Sequence, residues 1–488
     1  MIVERKNLVL IKSNMPLKQF TIDFRELAQD AFLRNDEKYH IFLNSSDWNL
    51  FESKSKDLVS LKDILVDDYN LFNYEDGEEY KGIPTGATYL DEDGEIKEFQ
   101  PVTAENHPGR LKYKASNDNI LVSSLRLAKS PALYFENQNL SNYVFSNGFY
   151  IYKIKDGWNK KFILYILRTK RLKNILDNHI YRGIGISAYK DDDLKKIKIP
   201  FIPKLKQGQI AAQIEPIEKK IKELKSQIAP AQEVVNKVFA RILRFNIQEA
   251  YSAEQQKYFS VSNTLTYRNT NLRSSVRWHK ITPIQKVLYK NTKCINKLGK
   301  YIIETKNGWS PNCREIDSLN FVFGVNSLST STVMNYDDLK TSNEERIDIK
   351  NYFVKEGDLF VSRGNTVDLV ALASVVENMP TDKDVIFPDL FIRIEVNEKK
   401  LNKKYLAYLF NSIIGRLYFK YSAKGKNQTM VKISSDELNN FYLPVPSLKD
   451  QQKIVDEIKA ELDKQEEMKQ KIESERVKID EIIGKAIT

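Results

Sequence analysis

Apolar residues alternate spacings of four and three from Ile210 through Ile214, Ile217, Ile221, Leu224, Ile228, Ala231, Val235 and Val238 to Ile242. That period is the seam of a coiled coil. Shifted by 244 residues, the same positions read Ile454, Ile458, Glu461, Gln465, Met468, Ile472, Glu475, Ile479, Ile482 and Ala486, a second seam broken by polar residues. A lone helix would expose such a stripe, and the nearest matching stripe is the other helix. At 1.5 Å per residue a segment of about 40 residues spans about 60 Å, the dimensions of a spacer. If one helix leads away from a domain and the other leads back, the two lie antiparallel. Ser447 and Asp450 resemble a capping box opening the second helix, and Glu218 with Lys222 forms a favourable spacing of four in the first. Pro216 and Pro230 count against an unbroken first helix, and a kink is expected near Pro230.

Ahead of each long helix the period changes. The runs "NILVSSL", "NGFYIYKI" and "LFIRIEV" read as strands bounded by Gly, Asn and Asp, whereas "KKFILYILRTKRLKNIL" and "KKYLAYLFNSIIGRLYF" place apolar residues at helical spacing. These runs recur in order with an offset of about 240 residues. "DNILVSS" at 118–124 answers "GDLFVSR" at 357–363, "KKFILYIL" at 160–167 answers "KKYLAYLF" at 403–410, and "IKIPFIPKLKQGQIAAQI" answers "FYLPVPSLKDQQKIVDEI". Arg34 and Arg277 open the two series. The expected architecture is mixed α/β (α+β): an N-terminal segment 1–29, a first globular domain 30–203 and its helix 204–246, a linker 247–275, a second domain 276–446 and its helix 447–488.

Composition narrows the function. A chain of 488 residues exceeds what one core supports, in line with two domains. Lys and Arg outnumber Asp and Glu by 76 to 65, a net charge of +11, which favours a polyanionic partner. Two cysteines, Cys294 and Cys313, and four histidines give neither a disulfide framework nor a zinc spacing. Apolar runs such as 369–376 are far shorter than the roughly 20 residues of a membrane span, and the expected setting is the cytoplasm, with no membrane partner.

Catalytic motifs are scarce. "KGKNQT" lacks the leading glycine and spacing of a Walker loop, and Gly183 and Gly185 form an isolated GxG. Asp389, Glu398 and Lys400 superficially match a metal-nuclease pattern but also read as a strand start and a solvated turn, with no counterpart in the first repeat; no catalytic or metal-ligating set is assigned. Binding chemistry is better supplied. Arg363, Asn365 and Thr366 follow a strand and combine a guanidinium fork with an amide, and Lys424, Lys426, Asn427 and Gln428 sit on a glycine-containing loop. The corresponding candidates in the first repeat are Arg126 and Lys129 after "NILVSSL", and Tyr181 and Arg182 before "GIGIS". The residues alone therefore lead to two similar polyanion-binding domains on a spacer.

The ordered set "YFVKEGDLFVSRGNT", "PDLFIRI", "KKYLAYLFNS", "AKGKNQTMVKISSDEL" and "LPVPSLKDQQKIVDEI" resembles a target recognition domain and the helix that follows it in specificity subunits of type I restriction-modification systems. The resemblance runs through nearly the whole chain, the first repeat in more divergent form. It implies a non-catalytic, sequence-specific reader of double-stranded DNA, each domain reading one half of a bipartite target, with the paired helices setting the gap and docking two methyltransferase subunits. Restriction subunits that translocate and cut DNA join that core. S-adenosylmethionine, ATP and magnesium are then expected in those partners and no cofactor in this chain. The competing expectation is a scaffold whose helices gather proteins and whose basic domains bind nucleic acid without selectivity.

Overall fold

The computed structural model describes residues 57–86, 88–125, 132–178, 188–262, 275–313, 320–337, 339–379, 384–425 and 430–487, with the backbone of three N-terminal antiparallel strands, Ile2–Glu4, Leu8–Lys12 and Gln19–Asp23. Residue contacts divide the chain into one unit of Met1–Ser226 with Lys471–Thr488 and another of Gln227–Gln470.

In the first unit, strands β1 (Leu65–Asp67), β2 (Ile120–Ser123), β3 (Ala132–Tyr134) and β4 (Phe149–Ile154) form an antiparallel sheet in the order β3-β2-β4-β1. Successive side chains of a strand point to opposite faces, so a sheet covered on both sides needs unbroken apolar runs. Accordingly Ile120 and Val122 of β2 join one core with Phe162 and Tyr165 of helix α1 (Lys160–Arg168), while Leu121 joins another with Phe149 and Ile151. Helix α1 starts where Asn159 accepts the Phe162 amide, an N-cap that supplies one of the unpaired first-turn donors. A five-stranded sheet contains the parallel pair Glu79–Ile83 and Tyr143–Ser146, and the pair Leu58–Ser60 with Lys198–Pro200 closes the domain just before helix α2 (Lys204–Gln227).

The second unit begins with helix α3 (Ala231–Leu243) and repeats the plan. Strands β5 (Ile302–Asn307), β6 (Leu359–Ser362), β7 (Ala373–Val375) and β8 (Phe391–Val396) form an antiparallel sheet in the order β5-β8-β6-β7. Leu359 and Val361 face the core of helices α4 (Lys403–Asn411) and α5 (Ile413–Ser422), whereas Phe360 faces the opposite core with Phe387 and Phe391. The parallel pair recurs as Asn320–Val322 with Val385–Ile386, and the closing pair as Ile295–Lys297 with Tyr442–Pro444, before helix α6 (Leu448–Ile487).

One buried device is common to both repeats and was not read from the sequence. Gln207 accepts the Asn159 amide at 2.6 Å and donates to the Ile202 carbonyl, and 244 residues on, Gln451 accepts the Asn402 amide at 2.8 Å and donates to the Lys400 and Pro446 carbonyls. Both side chains are fully buried. Each ties the first turn of a long helix to the start of its domain's core helix.

The first long helix departs from the expected kink. It stops at Gln227 and restarts at Ala231, with Pro230 as N-cap residue at φ −55°, whereas Pro216 lies inside an intact α2. A proline is suited to a helix start and costs a backbone bond inside one. One polar seam position, Gln465, meets this break. Gln465 accepts the Ala229 amide at 2.8 Å, within the gap between α2 and α3, and Glu475 accepts Lys220 Nζ at 2.6 Å. The remaining seam residues are buried or half-buried. In the first unit Ile210 and Ile214 share a core with Ile483 and Ile487, against which Ile479 and Ile482 pack; in the second Val235 and Val238 share one with Ile454 and Ile458. Ser447 caps α6 as expected, accepting the Asp450 amide. The Glu218–Lys222 pair does not form: Glu218 accepts the Tyr165 hydroxyl at 2.6 Å and meets Arg168, and Lys222 lies 3.5 Å from Glu95. A partly buried hydroxyl and guanidinium offer stronger, less screened partners than an exposed lysine.

Candidate nucleic-acid interface

In the second unit, antiparallel pairing brings the end of β5, the start of β8 and the end of β6 to one edge, since Asn307 pairs with Ile392 and Ser362 with Phe391. Backbone bonds stitch the loops beyond that edge. The Arg363 amide donates to the Leu390 carbonyl at 2.6 Å, Gly308 to Phe391 and Trp309 to Phe387. Gly308 is required there, because a Cβ would stand 2.1 Å from the Pro388 carbonyl oxygen. Three residues meet as a result: Ser310 Oγ donates to Asp389 Oδ1 at 2.5 Å and accepts the Asp389 amide at 3.0 Å, and Arg363 NH1 reaches the Asp389 backbone carbonyl at 3.4 Å.

The edge continues through a two-residue strand, Gly364–Asn365, paired with Val431–Lys432, and Lys424 forms a bridge to Lys432. Arg363, Asn365, Thr366 and Lys424, four of the residues singled out by sequence, therefore lie along one edge. Asn365 Oδ1 accepts the Thr366 amide, and the Thr366 carbonyl accepts two amides in turn, from Leu369 and Val370, which makes a rigid turn. Beneath that turn the Arg416 side chain is buried and donates to the Val370 carbonyl, and burial pushes its guanidinium down to about 10. Lys424 Nζ lies 2.9 Å from Glu437, which draws its charge inward, while on the loop side Arg346 lies 5.5 Å from the Trp309 ring and 4.8 Å from that of Tyr352.

The nuclease-like reading fails on geometry. Asp389 precedes β8 and Glu398 follows it, at opposite ends of six extended residues, about 20 Å apart at 3.3 Å per residue, so the pair cannot hold one metal ion. Glu398 instead pairs with Lys403 at 3.0 Å. Among the described residues no group of three His, Cys, Asp or Glu side chains could hold a metal ion, and no helix is long and apolar enough to cross a membrane.

The first unit presents the same edge with different chemistry. The Ser124 amide donates to the Gly148 carbonyl at 2.9 Å, as that of Arg363 does to Leu390, and β2 pairs Ser123 with Phe149 as β6 pairs Ser362 with Phe391. Ser124 thus occupies the place of Arg363, and Asn147 that of Asp389. Neither was singled out by sequence, nor were Ser310 and Trp309; the signal that finds them is strand register, which the alternating apolar runs only bracket. Arg126, Lys129, Tyr181, Arg182, Lys426, Asn427 and Gln428 lie outside the described residues.

Comparison with known proteins follows the same two-fold division. The model of the type I restriction modification DNA specificity domain matches residues 38–230 and again 281–475. No curated protein matches the chain. Similar solved structures include a chain of a type I R-M system studied for complex assembly and conformational transition (14% identity, 88% of this chain and 97% of that one, TM-score 0.40). Two others are the HsdS subunit from Thermoanaerobacter tengcongensis (14%, 88% and 96%, 0.32) and the S subunit from M. genitalium (12%, 90% and 97%, 0.36). One domain model thus matches twice, once over each structural repeat and its helix, and the chain belongs to the type I restriction-modification specificity family.

Proposed function

We propose that this chain is the subunit that selects the DNA target of a type I restriction-modification complex, and that each recognition domain, 30–203 and 276–446, reads one half of a bipartite sequence. The observation that carries this reading is the doubled specificity domain in which the same sheet edge bears different side chains, Arg363 and Asp389 in one copy against Ser124 and Asn147 in the other. Two copies of one scaffold with unlike edges suit two unlike half-sites. Base contact in the second domain falls to Arg363, Asn365 and Thr366 with the loop Lys424, Lys426, Asn427 and Gln428, and in the first to the neighbourhood of Arg126, Lys129, Tyr181 and Arg182.

The segments 204–246 and 447–488 act as an antiparallel coiled-coil spacer that fixes the unread gap, with 247–275 as linker and 1–29 as an N-terminal segment. Lys220 on Glu475, Ala229 on Gln465 and Arg241 on Glu457 support that direction, since numbers rise along one segment as they fall along the other. Two methyltransferase subunits dock on this core and restriction subunits join them in the cytoplasm; the chemistry of S-adenosylmethionine, ATP and magnesium resides in those partners.

Single-molecule sequencing of the host genome tests the reading. Adenine methylation at a split motif is expected, and it is lost when the gene is deleted; methylation that persists unchanged refutes the proposal. Inserting four residues, about one helical turn, between Gln227 and Ala231 is expected to change the gap and leave both half-sites as they were.

A further inference from the structure

We propose that Arg363 and Asp389 together read one G·C base pair, with Ser310 holding the carboxylate in place; this rests on the DNA-reading function proposed above. In the major groove a G·C pair presents two acceptors on guanine, N7 and O6, beside a donor on cytosine, N4. A reader of the whole pair needs a double donor next to an acceptor. The edge beyond β6 and β8 supplies that combination. The Arg363 guanidinium is only half-buried and, among the described residues, its one hydrogen bond is the 3.4 Å contact to the Asp389 carbonyl. The Asp389 side chain is exposed, and its carboxylate is engaged by Ser310 Oγ through one oxygen, Oδ1, and forms no ion pair with Arg363.

This separation matters. Had guanidinium and carboxylate paired with each other, each would have spent part of its hydrogen-bonding capacity on the other. Here Ser310, fixed by the close approach of Gly308 to Pro388, turns the carboxylate aside and leaves the two groups parallel in function, one donating and one accepting. Ser310 is accordingly a positioning residue. Backbone bonds from Arg363 to Leu390 and from Trp309 to Phe387 hold all three loops, so the reader is preorganised and little ordering entropy opposes binding.

The test is selection from a randomised duplex library by the full-length chain, wild type and three variants, read by sequencing. Wild type is expected to enrich a split motif with an invariant G·C pair in one half. R363K, which keeps the charge but loses the planar fork, and D389N, which turns one acceptor into a donor, are each expected to reduce discrimination at that single pair by about 10- to 100-fold, with other positions unchanged. S310A is expected to give a smaller loss at the same pair. Thermal melting checks that these substitutions leave the fold intact. If wild type enriches no motif, the DNA-reading function itself falls. If it enriches a split motif but neither variant changes discrimination at any single pair, R363K lowering affinity evenly and D389N raising it as a negative charge is removed, then Arg363 lies on phosphate and only this inference is overturned.

Discussion

Replacing Arg476 with Met should loosen a turn of the first recognition domain that the C-terminal helix holds by charge. The hairpin turn between Leu90 and Ile96 carries Asp91 and Asp93 towards α2 and α6. Arg476 donates to both carboxylate oxygens of Asp93, Nε at 3.0 Å and NH2 at 2.7 Å, and Lys225 binds Asp93 and, at 2.5 Å, Asp91. The Arg476 and Asp93 side chains are 22% and 25% exposed, between a surface pair worth little and a buried one worth several kcal/mol. Met keeps the apolar stem, and Lys225 remains to compensate Asp93, so the loss should be about 2 kcal/mol, the scale of hydrogen bonds to a charged group. At 1.36 kcal/mol per decade that is about a 30-fold rise in the opening equilibrium of the turn. Hydrogen exchange reads it directly at two amides of the hairpin, Asp91 bonded to Glu95 and Lys97 bonded to Tyr89.

The pH dependence follows from the same contacts. Although burial opposes ionisation of Asp93, the hydrogen bonds and charges of Arg476 and Lys225 win and hold its carboxyl below the ordinary carboxylate range. A group whose folded value is depressed stabilises above its unfolded value and loses that contribution as pH falls through the folded one. The wild-type turn should therefore stay protected at neutral pH and weaken below about pH 4, whereas R476M should show a smaller acid effect. Combining R476M with D93N should reveal a coupling of about 1 to 2 kcal/mol. Exchange in R476M within threefold of wild type would refute the argument.

Gln451→Leu should orphan the Asn402 amide and two carbonyls in a fully buried place, costing about 2 to 3 kcal/mol as read by urea unfolding of the second domain, and Gln207→Leu should orphan the Asn159 amide and one carbonyl in the first, at a somewhat smaller cost. Gln465→Leu removes the acceptor of the Ala229 amide at the helix break; about 1 kcal/mol is expected to be lost, with exchange at Ala229 accelerating. Gly308→Ala forces a methyl to within 2.1 Å of a backbone oxygen, so the loops of the β5/β8/β6 edge must shift, and DNA affinity should fall at least tenfold while the far ends of those strands keep their exchange protection.

The division of this protein into two repeats of sheet, core helices and long helix was legible in the sequence, because apolar periodicity is set by burial and recurs wherever the same face is covered. The seams were legible for the same reason, down to the positions that are polar. What those polar residues do was not, since Gln465 meets a helix break and Glu475 a lysine brought near only by folding. Candidate cations on the second domain's edge, Arg363 and Lys424, were visible as residue types on loops. Their neighbours were not: Ser310 and Asp389 are 79 residues apart and meet because β5 and β8 run antiparallel in one register. Along the chain Asp389 groups only superficially with Glu398, and the extended strand between them separates the two. Local pattern thus decides which elements form and what they bury, while register decides which side chains share an edge.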